Sequence, residues 1–431
     1  MSDSAQSAAE NVISRIFKNA GALVSGKVAA GILSLAYLAI AARSLGPHDM
    51  GILVIAHAYA MTVAGIARFQ SWQAVIRFGS PMIAATDENA FRNLIRYTAR
   101  IDGISAILGV AMALIAAPFA ASWFHWSDDV LRLVYIYAIA VPFLMAATPT
   151  GILRLFGKFK TLGIQMTINP AVRFLGSIAV MATGGGVDAF LAVWIVSAFA
   201  NGISLWALGW RELHLRRLAP KLTGRLKTAN DPAWLPFMLK TNGVSTLDLV
   251  NESVPVLMVG GLAGSAAAGF FQLAQNATNL LAHPTNMLNH ATFPELARIE
   301  ADAGGEKLVR VAMKSAAAAT AIALPLIISF VLFREQIAVV VGGPAFRPAG
   351  AVIAGMALYQ IFRITTVVFE SATIARGRAG AAFLAQAFGA IGLVGAMIVL
   401  LPSTGVIAAP IALGVGRLLM MGVLAIAVTR R

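Results

Sequence analysis

The chain contains no cysteine, which excludes disulfide staples and thiolate metal centres. It also has little charge. Asp, Glu, Lys and Arg make up 12% of the 431 residues, against roughly a quarter in a soluble globular domain. Half the usual polar coat does not keep a chain of this size in water. No GxxxxGK[ST] run occurs, so the chain brings no phosphate-binding loop of an ATPase, and no HExxH spacing offers a metal site. No cofactor is expected. The opening MSDSAQSAAE is polar and acidic. It lacks the basic-then-apolar order of a cleaved signal, so the first apolar stretch is expected to be a retained span.

What is abundant is apolar. Hydrophobic residues reach 58% and mean hydropathy is +0.78. Apolar stretches fall at 20–42, 50–68, 101–122, 133–152, 161–183, 187–208, 241–262, 266–290, 311–333, 349–370, 380–401 and 406–428. Each has roughly the 20 residues that a bilayer core of ~30 Å requires. The sequence thus predicts an all-α integral membrane protein with about twelve transmembrane helices. Pro142, Pro170, Pro255, Pro284, Pro325 and Pro410 lie within these spans. Neighbouring helices can re-satisfy the freed backbone groups, so they predict kinks and not ends.

Lys and Arg set the orientation. Connections on the N-terminal side hold clusters such as Arg92, Arg96 and Arg100, Arg154, Lys158 and Lys160, and Arg211, Arg216, Arg217 and Lys221. The opposite connections hold only Arg43, Arg132, Arg334 and Arg347. This bias places both termini in the cytoplasm. It also accounts for the net charge of +14 without nucleic acid, because the excess faces an anionic leaflet. The outer connections, such as 184–186, 263–265 and 402–405, are a few residues long. They leave no room for the catalytic loops of a membrane glycosyltransferase or polymerase, and no enzyme activity is expected.

A long basic connection, 209–240, sits near the midpoint. It divides the chain into an N-terminal six-helix bundle, 1–208, and a C-terminal one, 241–431. A repeat supports the division: Gly46 and Gly51 stand five apart after span 1, and Gly264 and Gly269 stand five apart after span 7, 218 residues on. Repeated halves around a central cavity are a common plan of secondary transporters.

Polar side chains inside spans are costly and normally face a bundle interior or a water-filled path. On span 8, Gln272, Gln275, Asn276, Asn279, His283, Asn286 and His290 recur at helical steps on one face. Interhelical hydrogen bonding is the plain alternative. The length of the stripe favours a water-lined surface, and amides that both donate and accept suit a hydroxyl-rich ligand. Span 7 carries Thr241, Ser245, Asp248 and Glu252 at the same spacing, with Lys240 and Asn242 at its inner end. Two carboxylates one turn apart in a membrane interior disfavour each other's charge. One of them, or Glu370 on span 10, is a candidate to couple a proton or ion to transport; a structural pair with a nearby base is the alternative. Lys27, Arg173, Arg363 and Arg417 are the other intramembrane bases. Lys27 can snorkel, whereas Arg173 lies too deep to do so easily. An excess of bases over acids predicts a cationic cavity for an anionic ligand, with guanidinium forks suited to phosphate.

LGPHDMGIL after span 1, SWQAVIRFG closing span 2, the stretch from Leu249 through GFFQLAQN to FPELARI, and VGGPAFRPAG after span 9 resemble the Wzx-type polysaccharide flippases. These are a branch of the multidrug/oligosaccharidyl-lipid/polysaccharide exporter superfamily. The resemblance covers nearly the whole chain and is loose in each motif. It implies two six-helix bundles in a V, MATE-like, working by alternating access. Its cargo would be an undecaprenyl-pyrophosphate-linked oligosaccharide, carried from the inner to the outer leaflet of the bacterial inner membrane for lipopolysaccharide, O-antigen or other surface polysaccharide. Membrane lipids, a coupling ion and a polysaccharide polymerase or ligase are the implied partners. A drug or small-molecule exporter of the same superfamily would carry more buried acids and aromatics. A lipid II flippase would usually carry two more helices.

Overall fold

The computed structural model describes residues 2–221, 233–281 and 305–429, and every element among them is helical. The first helical run, α1 (Ser2–Ala67), carries the first two apolar stretches and is broken at Gly46, with φ 73° and ψ 178°. That backbone region is essentially restricted to glycine. It ends one span, and Pro47 opens the next. Then come α2 (Ser71–Ala84), α3 (Glu88–Phe124) and α4 (Asp128–Tyr137). A 3₁₀ segment, Ala138–Leu144, leads into α5 (Thr148–Leu155), α6 (Phe159–Gln165), α7 (Ile168–Thr183) and α8 (Val187–Leu215).

After the midpoint connection come α9 (Trp234–Glu252), α10 (Val254–Leu262) and α11 (Ser265–Asn279). They are followed by α12 (Gly305–Leu332), α13 (Arg334–Gly342), α14 (Ala349–Ala375), α15 (Ala379–Thr404) and α16 (Ala408–Thr429). The apolar stretches read from the sequence fall mainly on helix; the fourth is broken at 145–147, and the eighth passes out of the described residues after position 281. Seven runs among the described residues are long and apolar enough to cross a membrane. Two of them, Ser25–Ala84 and Gly380–Val428, have the length of two crossings.

The prolines behave differently from the expectation of kinks. Pro325 does lie inside a continuous helix, α12. Pro142 lies in the 3₁₀ segment that interrupts the fourth span. Pro170, Pro255 and Pro410 each fall in the first turn of a new helix, α7, α10 and α16. A first-turn N–H has no intrahelical partner to lose, so proline costs little there and marks a restart. Pro284 lies outside the described residues.

Internal contacts divide the chain into two compact units. Unit 1 is Met1–Tyr37, Ala60–Pro118 and Arg132–Thr246; unit 2 is Leu38–Tyr59, Phe119–Leu131 and Leu247–Arg431. In unit 1, Val75, Phe91, Ile95, Ile152 and Leu213 form a buried core. Glycines let backbones close on one another there: Gly151 lies against Trp72, Gly202 against Phe143 and Gly209 against Pro149. Close approach through small residues is the usual way membrane helices gain packing contact. In unit 2, Ala319, Ala323, Ile327, Ala357 and Ile364 join α12 to α14. Ala382, Ala385, Met420 and Leu424 join α15 to α16.

Candidate functional site

A cavity of about 570 Å³ opens within unit 2. The stripe Met356, Tyr359, Gln360, Arg363, Val367 and Glu370 runs along one face of α14 at helical spacing and forms one wall. The other side of the same helix buries Ile364, Val368 and Ala372 in apolar clusters. Amphipathicity therefore fixes which face reaches the cavity. Asn251 and Glu252 from the end of α9, Gln275 and Asn279 from α11, Gln386 from α15, and Leu413 and Arg417 from α16 complete the lining.

Hydrogen bonds hold these groups in place. Arg417 Nε donates to the Tyr359 hydroxyl at 3.2 Å, and Gln386 Nε2 donates to Glu370 Oε1 at 3.1 Å. Gln275 Nε2 donates to the Glu252 carbonyl and Gln360 Nε2 to the Thr278 carbonyl, each at 3.3 Å. The Gln360 carbonyl oxygen is buried without a partner. The lining thus offers two guanidiniums, two carboxylates, several amides and a phenol. It can receive an anionic group, a cation and hydroxyls together.

Six residues singled out from the sequence meet here: Glu252, Gln275, Asn279, Arg363, Glu370 and Arg417. The others are placed elsewhere. Gln272 and Asn276 do not line the cavity, and Asn276 Nδ2 turns back to the Gln272 carbonyl at 2.9 Å. Asn242 Nδ2 donates to the Ile66 carbonyl at 3.4 Å within unit 1. Lys27 is exposed on α1. His283, Asn286 and His290 lie outside the described residues, as do the side chains of Lys240, Ser245 and Asp248.

Arg173 is enclosed in unit 1, only 4% exposed. Its Nε donates to Ser197 Oγ at 3.0 Å, one terminal nitrogen donates to the Tyr37 hydroxyl at 3.0 Å, and the other to the Tyr137 hydroxyl at 3.4 Å. The guanidinium also lies 4.1 Å from the Trp194 ring centroid and 5.4 Å from that of Tyr37. Hydroxyls and π-faces, all neutral, solvate this cation. Such contacts are worth about 2 kcal/mol or more when desolvated. With Arg173 caged and Lys27 exposed, the described cavity lining carries two acids and two bases. Lys240 and Asp248, which also entered the expected cationic excess, have side chains outside the described residues.

Sequence reasoning missed Tyr359, Gln360, Gln386 and Asn251. Gln360 and Gln386 carried a usable signal, because a lone amide inside an apolar span is itself unusual. Tyr359 and Asn251 did not stand out from interfacial and capping uses of the same residue types.

A family model described as a polysaccharide biosynthesis protein matches residues 16–300. The chain belongs to that family. A curated relative, the inner membrane protein YghQ of Escherichia coli strain K12, is 26% identical over 295 residues, which span 68% of this chain and 83% of the relative. Among solved structures, an inward-facing multidrug-resistance MATE transporter of the MOP superfamily aligns with a TM-score of 0.72 at 16% identity, covering 94% of this chain and 93% of that one. The lipid II flippase MurJ in an inward closed conformation aligns with a TM-score of 0.72 at 14% identity, covering 94% and 87%. This family member is a multi-pass helical membrane protein with the fold of MOP-superfamily transporters, and the two fold neighbours are a multidrug-resistance transporter and a lipid II flippase.

Proposed function

We propose that this family member is a flippase that moves a polyprenyl-pyrophosphate-linked oligosaccharide from the inner to the outer leaflet of the bacterial inner membrane, for surface polysaccharide assembly. The observation that carries the reading is the joint presence of Arg363, Arg417, Gln275, Asn279 and Gln360 around one cavity. Guanidinium forks take phosphate oxygens in bidentate fashion, and amides match sugar hydroxyls by donating and accepting. The family's place in polysaccharide biosynthesis supports the same cargo. In this reading the two halves of the chain alternate access to the cavity, both termini face the cytoplasm, and a polymerase or ligase receives the product. Glu252 and Glu370 lie in the same cavity as the two arginines. They give a coupling proton or cation a place beside the cargo site.

Those same carboxylates favour a second reading, a MATE-like exporter of small cationic compounds. A lipid II flippase is a third. Deletion of the gene, followed by chemical analysis of lipid-linked sugars, separates them. The proposal expects a polyprenyl-pyrophosphate oligosaccharide to accumulate and surface polysaccharide to fall. Normal surface polysaccharide with no accumulated intermediate would overturn it. Accumulated lipid II would favour the third reading, and raised sensitivity to cationic drugs alone the second.

A further inference from the structure

The cargo cavity does not use the buried carboxylate of unit 1. Asp102, on α3, is 5% exposed. Ser71, the first residue of α2, donates its hydroxyl to Oδ1 at 2.6 Å. Thr148, the first residue of α5, donates its backbone N–H to Oδ2 at 2.7 Å. Its described partners are all neutral. Three elements therefore converge on one carboxylate, at the point where the broken fourth span resumes as α5.

Two further oxygens belong to the same place. Ser105 is one turn along α3 from Asp102, is fully enclosed, and its hydroxyl has no hydrogen-bond partner. One turn further, Gly109 lies against Met145 and Val141 of the interrupted span. The Asp102–Ser105–Gly109 face thus runs along the break. Thr148 is likewise enclosed; its hydroxyl is turned to the carboxylate without a well-formed hydrogen bond.

We infer that Asp102, Ser71, Ser105 and Thr148 form a binding site for one monovalent metal cation of sodium size. The donor set is entirely oxygen, as hard cations require. One carboxylate balances one positive charge, and a divalent ion would leave an uncompensated charge in a neutral, buried setting. A metal ion can take the Ser105 and Thr148 hydroxyl oxygens as ligands together, beside the carboxylate. Serine and threonine hydroxyls in or entering helices can meanwhile donate to carbonyls of the preceding turn. Oδ2 keeps the Thr148 N–H while Oδ1 faces the ion, so occupancy is tied to how α5 is held at the break.

The test uses the full-length protein purified in detergent, melted at fixed pH and constant ionic strength, with sodium chloride stepwise replaced by choline chloride. A potassium series gives size selectivity. A ligand bound only by the folded state raises the melting temperature in proportion to its saturation. The wild type is expected to show a saturable sodium-dependent rise. Ser105→Ala and Thr148→Val leave both bonds to Asp102 in place and are expected to raise the half-saturating sodium concentration at least tenfold. Asp102→Asn is expected to abolish the response. If Asp102→Asn does not fold, the other two variants carry the test. Equal melting in sodium and choline, or an undiminished sodium response in Ser105→Ala and Thr148→Val, overturns the site. So does stability that changes with pH but ignores sodium, which would make Asp102 a proton site. The outcome is independent of which cargo the protein carries.

Discussion

Gly51 lies against the backbone carbonyl of Ser265, and Gly269 lies against the backbone carbonyl of Pro47. Gly51 and Gly269 are 218 residues apart, and so are Pro47 and Ser265. The contact is therefore reciprocal, with each repeat seating its glycine on the turn of the other. Both turns open on a glycine of the same backbone conformation, Gly46 at φ 73° and ψ 178° and Gly264 at φ 89° and ψ 166°. A Cβ at Gly51 or Gly269 would meet backbone atoms, which cannot swing aside as a side-chain tip can.

Gly51→Ala and Gly269→Ala should therefore each destabilise the protein, by about 1–3 kcal/mol as overpacking of a close contact does. The double variant should cost less than the sum, because the two sites share one interface. Thermal unfolding in detergent measures this. Gly395→Ala serves as control, since a Cβ there meets nothing within 4 Å. A control that falls as far as the two test variants would remove the steric explanation.

The Arg173 cage gives a prediction with a less obvious sign. Lysine keeps the charge but cannot reach Ser197, Tyr37 and Tyr137 together, because it lacks the planar fork. Methionine removes the charge and keeps much of the volume. An ill-solvated buried charge costs more than no charge, so Arg173→Lys should be less stable than Arg173→Met, by about 1–2 kcal/mol. Differential melting decides it, and tryptophan fluorescence reports whether Trp194 has lost its cation. Greater stability for the lysine variant would contradict the cage.

These two cases show what the sequence made legible. The spans were readable because bilayer thickness fixes a minimum apolar length, which composition alone meets or misses. The repeat was readable because Gly46 and Gly264 need a backbone that other residues avoid. The reciprocal seating of Gly51 and Gly269 was hinted at only by the shared offset. Arg173 was visible as a costly residue, but its partner Tyr37 lies 136 positions away. No periodicity within a helix encodes that pairing. Which intramembrane bases share a cavity was not legible for the same reason: a list of them does not say which ones packing encloses elsewhere, as it does Arg173. Asp102 sits at the very start of its apolar stretch, where an acid looks like an ordinary end residue, and only the return of Thr148 N–H marks it.

Glu212 near the end of α8 has a side chain only 9% exposed, 2.7 Å from Arg216 Nε and 3.3 Å from Lys158 Nζ. Arg216 also covers the Phe156 ring at 4.1 Å. Glu212→Gln keeps the shape and one acceptor but leaves two cations facing a neutral amide. Both cations are about 40% exposed and can turn to water, which limits the loss to about 1–2 kcal/mol. High salt should narrow the gap between variant and wild type. A melting series from low to high ionic strength checks it, and a gap that widens with salt would count against the ion-pair account.

Arg363 and Arg417 bear most directly on cargo. Both are half-buried and line the cavity, and Arg417 also holds the Tyr359 hydroxyl. Truncating either to alanine should leave folding largely intact, since neither side chain is packed into an apolar cluster. Each should lower export about tenfold or more, the scale of losing one charge-assisted contact of about 1.5–3 kcal/mol. Arg363→Lys and Arg417→Lys should recover only part of the activity, because a point charge cannot grip two phosphate oxygens as the fork does. The measurement is lipid-linked oligosaccharide accumulated in cells expressing each variant at matched membrane levels. Full export by both alanine variants would take the arginines out of the cargo path and shift weight to the carboxylates Glu252 and Glu370. In that event Glu252→Gln and Glu370→Gln, and not the arginine variants, should abolish transport. That pattern would be the mark of a cation exporter in the same fold.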